Sequence, residues 1–128
     1  MDLAEEGKQV DSVVLANGSR PDDWRQDMHF IETAEIAKDA LNVNVSYTGG
    51  CVDHDFKLVA WDYFSKSETP QVKLLLAHDA NVDPCKALIT EALRFDISPL
   101  KAEYHRAYGT KPGTLLLRLR GFNIEYCD

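Results

Sequence analysis

The chain has 128 residues, 45% of them hydrophobic and 27% charged, with a formal net charge of -7. That length matches one ordinary domain and is enough to bury a core without staples. The negative charge excludes a nucleic-acid backbone or an anionic membrane as the main partner, since both require a basic face.

No apolar run approaches the ~18 residues of a transmembrane helix. The opening MDLAEEGKQV lacks the basic-then-apolar layout of a signal peptide. It reads as cytoplasmic if Met1 is the native start, and as exported, periplasmic or secreted, if the chain is trimmed. There is no repeat, low-complexity tract or linker, so residues 1–128 read as a single domain.

Residues 1–29 carry the weakest pattern. VDSVVLA (10–16) reads as a first strand, and NGSRPDDW as turn and loop, with Asn17-Gly18 and Pro21 as breakers. FIETAEIA and LNVNVSY then read as a hairpin turning at Lys38-Asp39. In the second arm Leu41, Val43, Val45 and Tyr47 alternate with Asn42, Asn44 and Ser46, the pattern of a half-buried strand. HDFKLVAW (54–61) alternates again, a polar loop DYFSKSETP follows, and QVKLLLAH (71–78) returns. ALITEALRFDI (87–97) is a further strand. SPLKAEYHRAYG predicts a short helix near 99–108, with Ser98 as N-cap, Pro99 at the first helical position and Gly109 as terminator. TLLLRLRGF and NIEYCD close the sheet. The fold class is all-β: an antiparallel β-sandwich of six to eight short strands with one short helix.

His54 shares strand parity with Phe56 and Leu58, and His78 with Val72, Leu74 and Leu76. Both histidines therefore belong on the apolar face. A simple hairpin sets Ala60 opposite Val72, Phe56 opposite Leu76 and His54 opposite His78. The same pairing brings Cys51 and Cys85 to that end of the sheet. Three readings fit this corner. One is a Cys51–Cys85 disulfide with the histidines packed beside it, which requires an oxidising compartment. The second is a zinc site of Cys51, His54, His78 and Cys85, although the spacing is not a finger pattern. The third is a purely structural set of buried side chains.

Asp79, Asn81 and Asp83 open like a calcium loop, but Pro84 and Thr90 stand where its glycine and glutamate belong. Turn bonds from these side chains are the simpler expectation. No nucleophile elbow, phosphate loop or dinucleotide fingerprint is present. A thiol enzyme pairing Cys51 or Cys85 with a histidine is the remote alternative, and no catalytic residue is assigned. His29 and His105 read as surface, and Cys127 as a free thiol. Arg118 and Arg120, with Arg94, read as a solvated strand face. Trp61, Tyr63 and Phe64 gather at the end opposite the Cys/His corner. There they either form a contact surface or close the core.

The order SYTGGCVDHDF, LLLAHDANVDPC and ALITEALRFDISPL resembles a group of uncharacterised small bacterial proteins, many exported or lipid-anchored. The resemblance covers roughly residues 41–100. It implies an exported β domain with Cys51 and Cys85 as a pair and His54 and His78 beside them, and it implies no activity. The functional expectation is a non-enzymatic binding or structural module for an unknown protein or small molecule. A zinc-binding protein is the alternative, and otherwise no cofactor is expected.

Overall fold

The computed structural model describes residues 8–65, 70–109 and 113–127, with the backbone alone for 8–10, 62, 63 and 65. Among them are nine strands: β1 (Lys8–Ser12), β2 (Val14–Leu15), β3 (Phe30–Ala37), β4 (Ala40–Gly49), β5 (Asp55–Ser65), β6 (Gln71–Asp79), β7 (Ala87–Asp96), β8 (Thr114–Leu119) and β9 (Phe122–Cys127). One helix, α1 (Ser98–Tyr108), separates β7 from β8. The strands form two sheets, ordered β1-β7-β4-β3 and β2-β5-β6-β8-β9.

The alternating apolar residues explain the packing. Leu41, Val43, Val45, Leu93 and Phe95 of the first sheet are buried against Leu58, Ala60, Val72, Leu74, Leu76, Leu117 and Leu119 of the second. Removing this apolar surface from water is what holds the layers together.

The first strand differs from expectation. The segment 10–16 divides at buried Val13, whose N–H donates to the Asp96 carbonyl at 2.9 Å. β1 joins one sheet and β2 the other, so one side of the sandwich is bridged by continuous chain. On the other side β3 lies against β9. The sheets are also mixed rather than purely antiparallel: β1–β7, β2–β5 and β6–β8 run parallel. Strands that return through another layer need not reverse direction as hairpin partners must.

The β5–β6 register differs too. Phe56 faces His78, Leu58 faces Leu76 and Ala60 faces Leu74. β5 runs to Ser65 rather than ending near Trp61, which moves the turn later in the chain. Two bulges, at Ala60/Asp62 and Tyr63/Ser65, offset part of that shift.

The two ends of the sandwich are closed differently. At one, α1 buries Leu100, and Tyr104 and Tyr108 pack on Phe64 with ring centroids 6.4 and 5.6 Å apart. Asp39, in the β3–β4 turn, accepts bonds from Tyr126 (2.6 Å) and Lys101 (2.9 Å), tying hairpin, helix and β9 together. Ile97, not Ser98, is the N-cap of α1, and the Ser98 N–H donates to the Asp96 carboxylate at 2.9 Å. Gly109, with φ of 91°, ends the helix as expected. The other end holds the Cys/His corner.

Candidate functional site

Cys51 and Cys85 form a disulfide, with Cα atoms 5.7 Å apart and a sequence separation of 34. It joins the exit of β4 to the entry of β7, strands already paired through Gly49 and Ala87. Asp83 organises the turn beneath it. Its Oδ2 accepts the N–H groups of Gly50 (3.0 Å), Cys51 (3.3 Å) and Val52 (3.4 Å). Its Oδ1 accepts the N–H of Cys85 at 3.0 Å. The Cys85 bond first, then His54 and the other amides, hold this carboxyl far below the usual carboxylate range. Gly49 is required here: a Cβ would lie 2.6 Å from His54 Nε2 and 2.7 Å from Asp83 Oδ2.

The neighbouring loop shows the expected turn bonds. Asp79 accepts the Asn81 N–H at 2.9 Å, while the Asn81 amide donates to the Asp53 carbonyl (2.7 Å) and to Asp55 (3.0 Å). These bonds hold Asn81 and Val82 in the left-handed region, with φ of 53° and 54°.

His54 and His78 both point inward, as their parity requires. His54 Nδ1 lies 2.8 Å from His78 Nε2, and His54 Nε2 lies 2.9 Å from Asp83 Oδ2. The His54 and Asp83 side chains are each 1% exposed. His78 Nδ1 donates to the Asp27 carbonyl at 3.0 Å. That carbonyl is presented by residues 25–27, which run beside the end of β6: the His78 N–H donates to Arg25 O and the Asp27 N–H to His78 O. The two sulfurs are thus bonded to each other and the two rings to each other, forming two linked pairs rather than a shell around one centre. Among the described residues, the metal-ligating atoms that gather within 4.8 Å belong to Cys51, Asp83 and Cys85.

His29 lies inside the same cluster. It reads as surface in the sequence, yet it is 3% exposed, donates to the Asp27 carbonyl at 3.0 Å, and packs edge-on against His78 with centroids 5.2 Å apart. The residue pattern around it is irregular, so parity carried no signal. Only the approach of residues 25–27 to β6 brings it inside. Burial lowers the basicity of both His29 and His78.

Phe56 stacks on His78 at 4.5 Å with rings 3° from parallel, and Tyr47 covers His54 at 4.3 Å. The Tyr47 hydroxyl donates to Glu91 at 2.7 Å, and burial followed by Glu91 raises its pKa well above the usual phenol range. An open cleft of about 590 Å³ beside this cluster is lined by both signs of charge, including Asp11, Arg25, Lys57 and Glu91 with Trp24.

The other expected residues lie elsewhere. Phe64 closes the core beneath α1. Trp61 is half-buried with the Lys73 ammonium 5.3 Å from its ring centre. The side chain of Tyr63 lies outside the described residues. His105 is half-buried on α1, and Cys127 is an exposed free thiol. Arg118 donates to Gln71 at 3.2 Å, Arg120 sits in the β8–β9 turn, and Arg94 is on the opposite sheet. The three arginines therefore do not share one face.

No protein-family model matches the chain, and no curated protein does. Solved structures do match in fold. A NigD-like immunity protein from Bacteroides caccae aligns with a TM-score of 0.62 at 18% identity, covering 92% of this chain and 59% of its own. A protein of unknown function from Bacteroides vulgatus aligns with a TM-score of 0.54 at 16% identity over 94% of this chain and 56% of its own. A candidate lipoprotein from Bacteroides fragilis gives 0.56 at 16% over 93% and 68%. The chain spans somewhat more than half the length of these proteins, and at such identity the likeness is one of fold alone. The chain thus has the mainly β fold of a set of uncharacterised bacterial proteins.

Proposed function

We propose that the chain is a non-enzymatic binding module that presents the disulfide-fixed end of its sandwich to a protein partner. The observation that carries this reading is where its apolar side chains are exposed. Among the described residues, five of the six exposed large apolar side chains, Met28 (80%), Phe30 (62%), Val52 (45%), Val82 (88%) and Leu88 (75%), belong to segments at that end, and Tyr108 of α1 (49%) lies at the other. Scattered apolar residues on a surface mean little, but a group rimming one rigid end marks a contact surface. The disulfide and the Asp83 turn hold Val52 and Val82 in place, so little ordering cost remains for binding.

An enzymatic role has less support. The ring nitrogens of His54 and His78 are committed to internal bonds, and Cys51 and Cys85 to each other. A disulfide persists in oxidising compartments, which supports an exported domain.

The test is a photocrosslinking residue placed at position 82, compared with one at exposed Ala102 on α1, in cells that naturally express the protein. A protein adduct from position 82 and not from 102 is expected, and it should be lost in a Leu88→Asp variant that keeps its thermal stability. Equal adducts from both positions, or none from 82, would refute the reading.

A further inference from the structure

The hydrogen bonds of the histidine pair do not balance with neutral rings. Three bonds run in series: His78 to the Asp27 carbonyl, His54 to His78, and His54 to Asp83. A carbonyl only accepts, so His78 Nδ1 carries a proton. The bond between the rings needs one proton. The Asp83 carboxylate, which already accepts four backbone N–H groups, also only accepts. His54 Nε2 must therefore donate. Three protons are required, and two neutral imidazoles carry two.

We infer that the His54–His78 pair holds one extra proton, with His54 a buried imidazolium clamped between Asp83 and His78. The charge rests on His54 because its ring faces the carboxylate, whereas His78 faces a carbonyl, His29 and Phe56. Groups from every surrounding element are accounted for. Tyr47 on β4 covers the ring, and its hydroxyl donates a hydrogen bond to Glu91 of β7. Asp53 and Asp55 flank His54 in sequence and accept the Asn81 amide, through a carbonyl and a carboxylate respectively. Asp27 turns its carboxylate to the Ala80 N–H and to Arg25. Lowered basicity of His78 on burial agrees with this placement.

The consequence goes beyond binding. Asp83 holds the amides of Gly50, Cys51 and Val52, so the extra proton ties the histidine pair to a turn that the Cys51–Cys85 bridge and the Gly49–Ala87 pairing also fasten.

The test is nitrogen-15 NMR of the histidine rings in the disulfide-bonded protein near neutral pH. Three ring protons on the pair, with both His54 nitrogens protonated, are expected. Asp83→Ala removes the carboxylate that His54 Nε2 faces, so in the folded variant the count should fall to two and His54 should become neutral. Two ring protons in the native protein would overturn the inference, whether or not the variant folds.

Discussion

Reducing the Cys51–Cys85 bridge should lower stability by an amount set mainly by the unfolded chain. The linked residues are 34 apart. Closing a loop of that length removes entropy worth about 4 kcal/mol at 25 °C in the chain-entropy model. The native state already holds the two ends together through Gly49–Ala87 pairing and the Asp83 bonds, so little of that is returned by native relaxation. For a chain of this size, about 4 kcal/mol corresponds to a fall of roughly 14 °C in Tm. Thermal unfolding followed by circular dichroism should show this drop with a phosphine reductant, and a similar one in Cys51→Ala/Cys85→Ala. A chelator should have no effect on the oxidised protein. A fall of less than about 3 °C on reduction would refute the loop-entropy reasoning, and a fall on chelation alone would point to a metal.

Gly49→Ala should lose about 1–3 kcal/mol, because its Cβ would press on His54 Nε2 and Asp83 Oδ2 in a closely packed site; denaturant unfolding measures it. His29→Ala should lose a similar amount, about 1–3 kcal/mol, through the loss of buried ring contacts and the Asp27 bond. His105→Ala, on half-buried helix surface, should stay within about 0.5 kcal/mol. Asp39 is held below the usual carboxylate range by the Tyr126 hydroxyl first and then by Lys101. A depressed carboxyl stabilises the fold above its unfolded value of about 3.9 and loses that contribution as pH falls through the folded value. Unfolding midpoints measured from pH 7 down to acid should therefore decline less steeply in Asp39→Asn than in the native chain.

Much of the architecture is legible in strand alternation. Leu41 through Tyr47, Phe56 through Ala60 and Val72 through His78 each show the two-residue period of a half-buried strand, and each buries the face that period indicates. The helix boundaries follow from Pro99 and Gly109. The division of residues 10–16 between two sheets does not follow, because VDSVVLA has no breaker at Val13 and only tertiary pairing with β7 and β5 separates its halves. The β5–β6 register is hidden for a related reason. Bulges depend on how the strand twists against its neighbours, and the alternation of Phe56, Leu58 and Ala60 runs straight up to them.

At the corner, parity places His54 and His78 inward, and the expected β5–β6 hairpin brings Cys51 and Cys85 to the same end of the sheet, although the observed register sets Phe56, not His54, opposite His78. Asp83 reads in the sequence as one turn residue among three. Its role under the disulfide needs the backbone amides of residues 50–52 to converge, which no local pattern encodes. His29 is likewise missed, since its burial depends on a non-local contact with β6.

Intact mass of the unreduced protein, native and then denatured and alkylated, decides whether a disulfide staples the corner. One alkylated cysteine, Cys127, with a two-proton mass deficit, is the predicted result. Three alkylated cysteines, with a native mass excess near that of zinc, would rule out the disulfide and make Cys51 and Cys85 metal ligands instead.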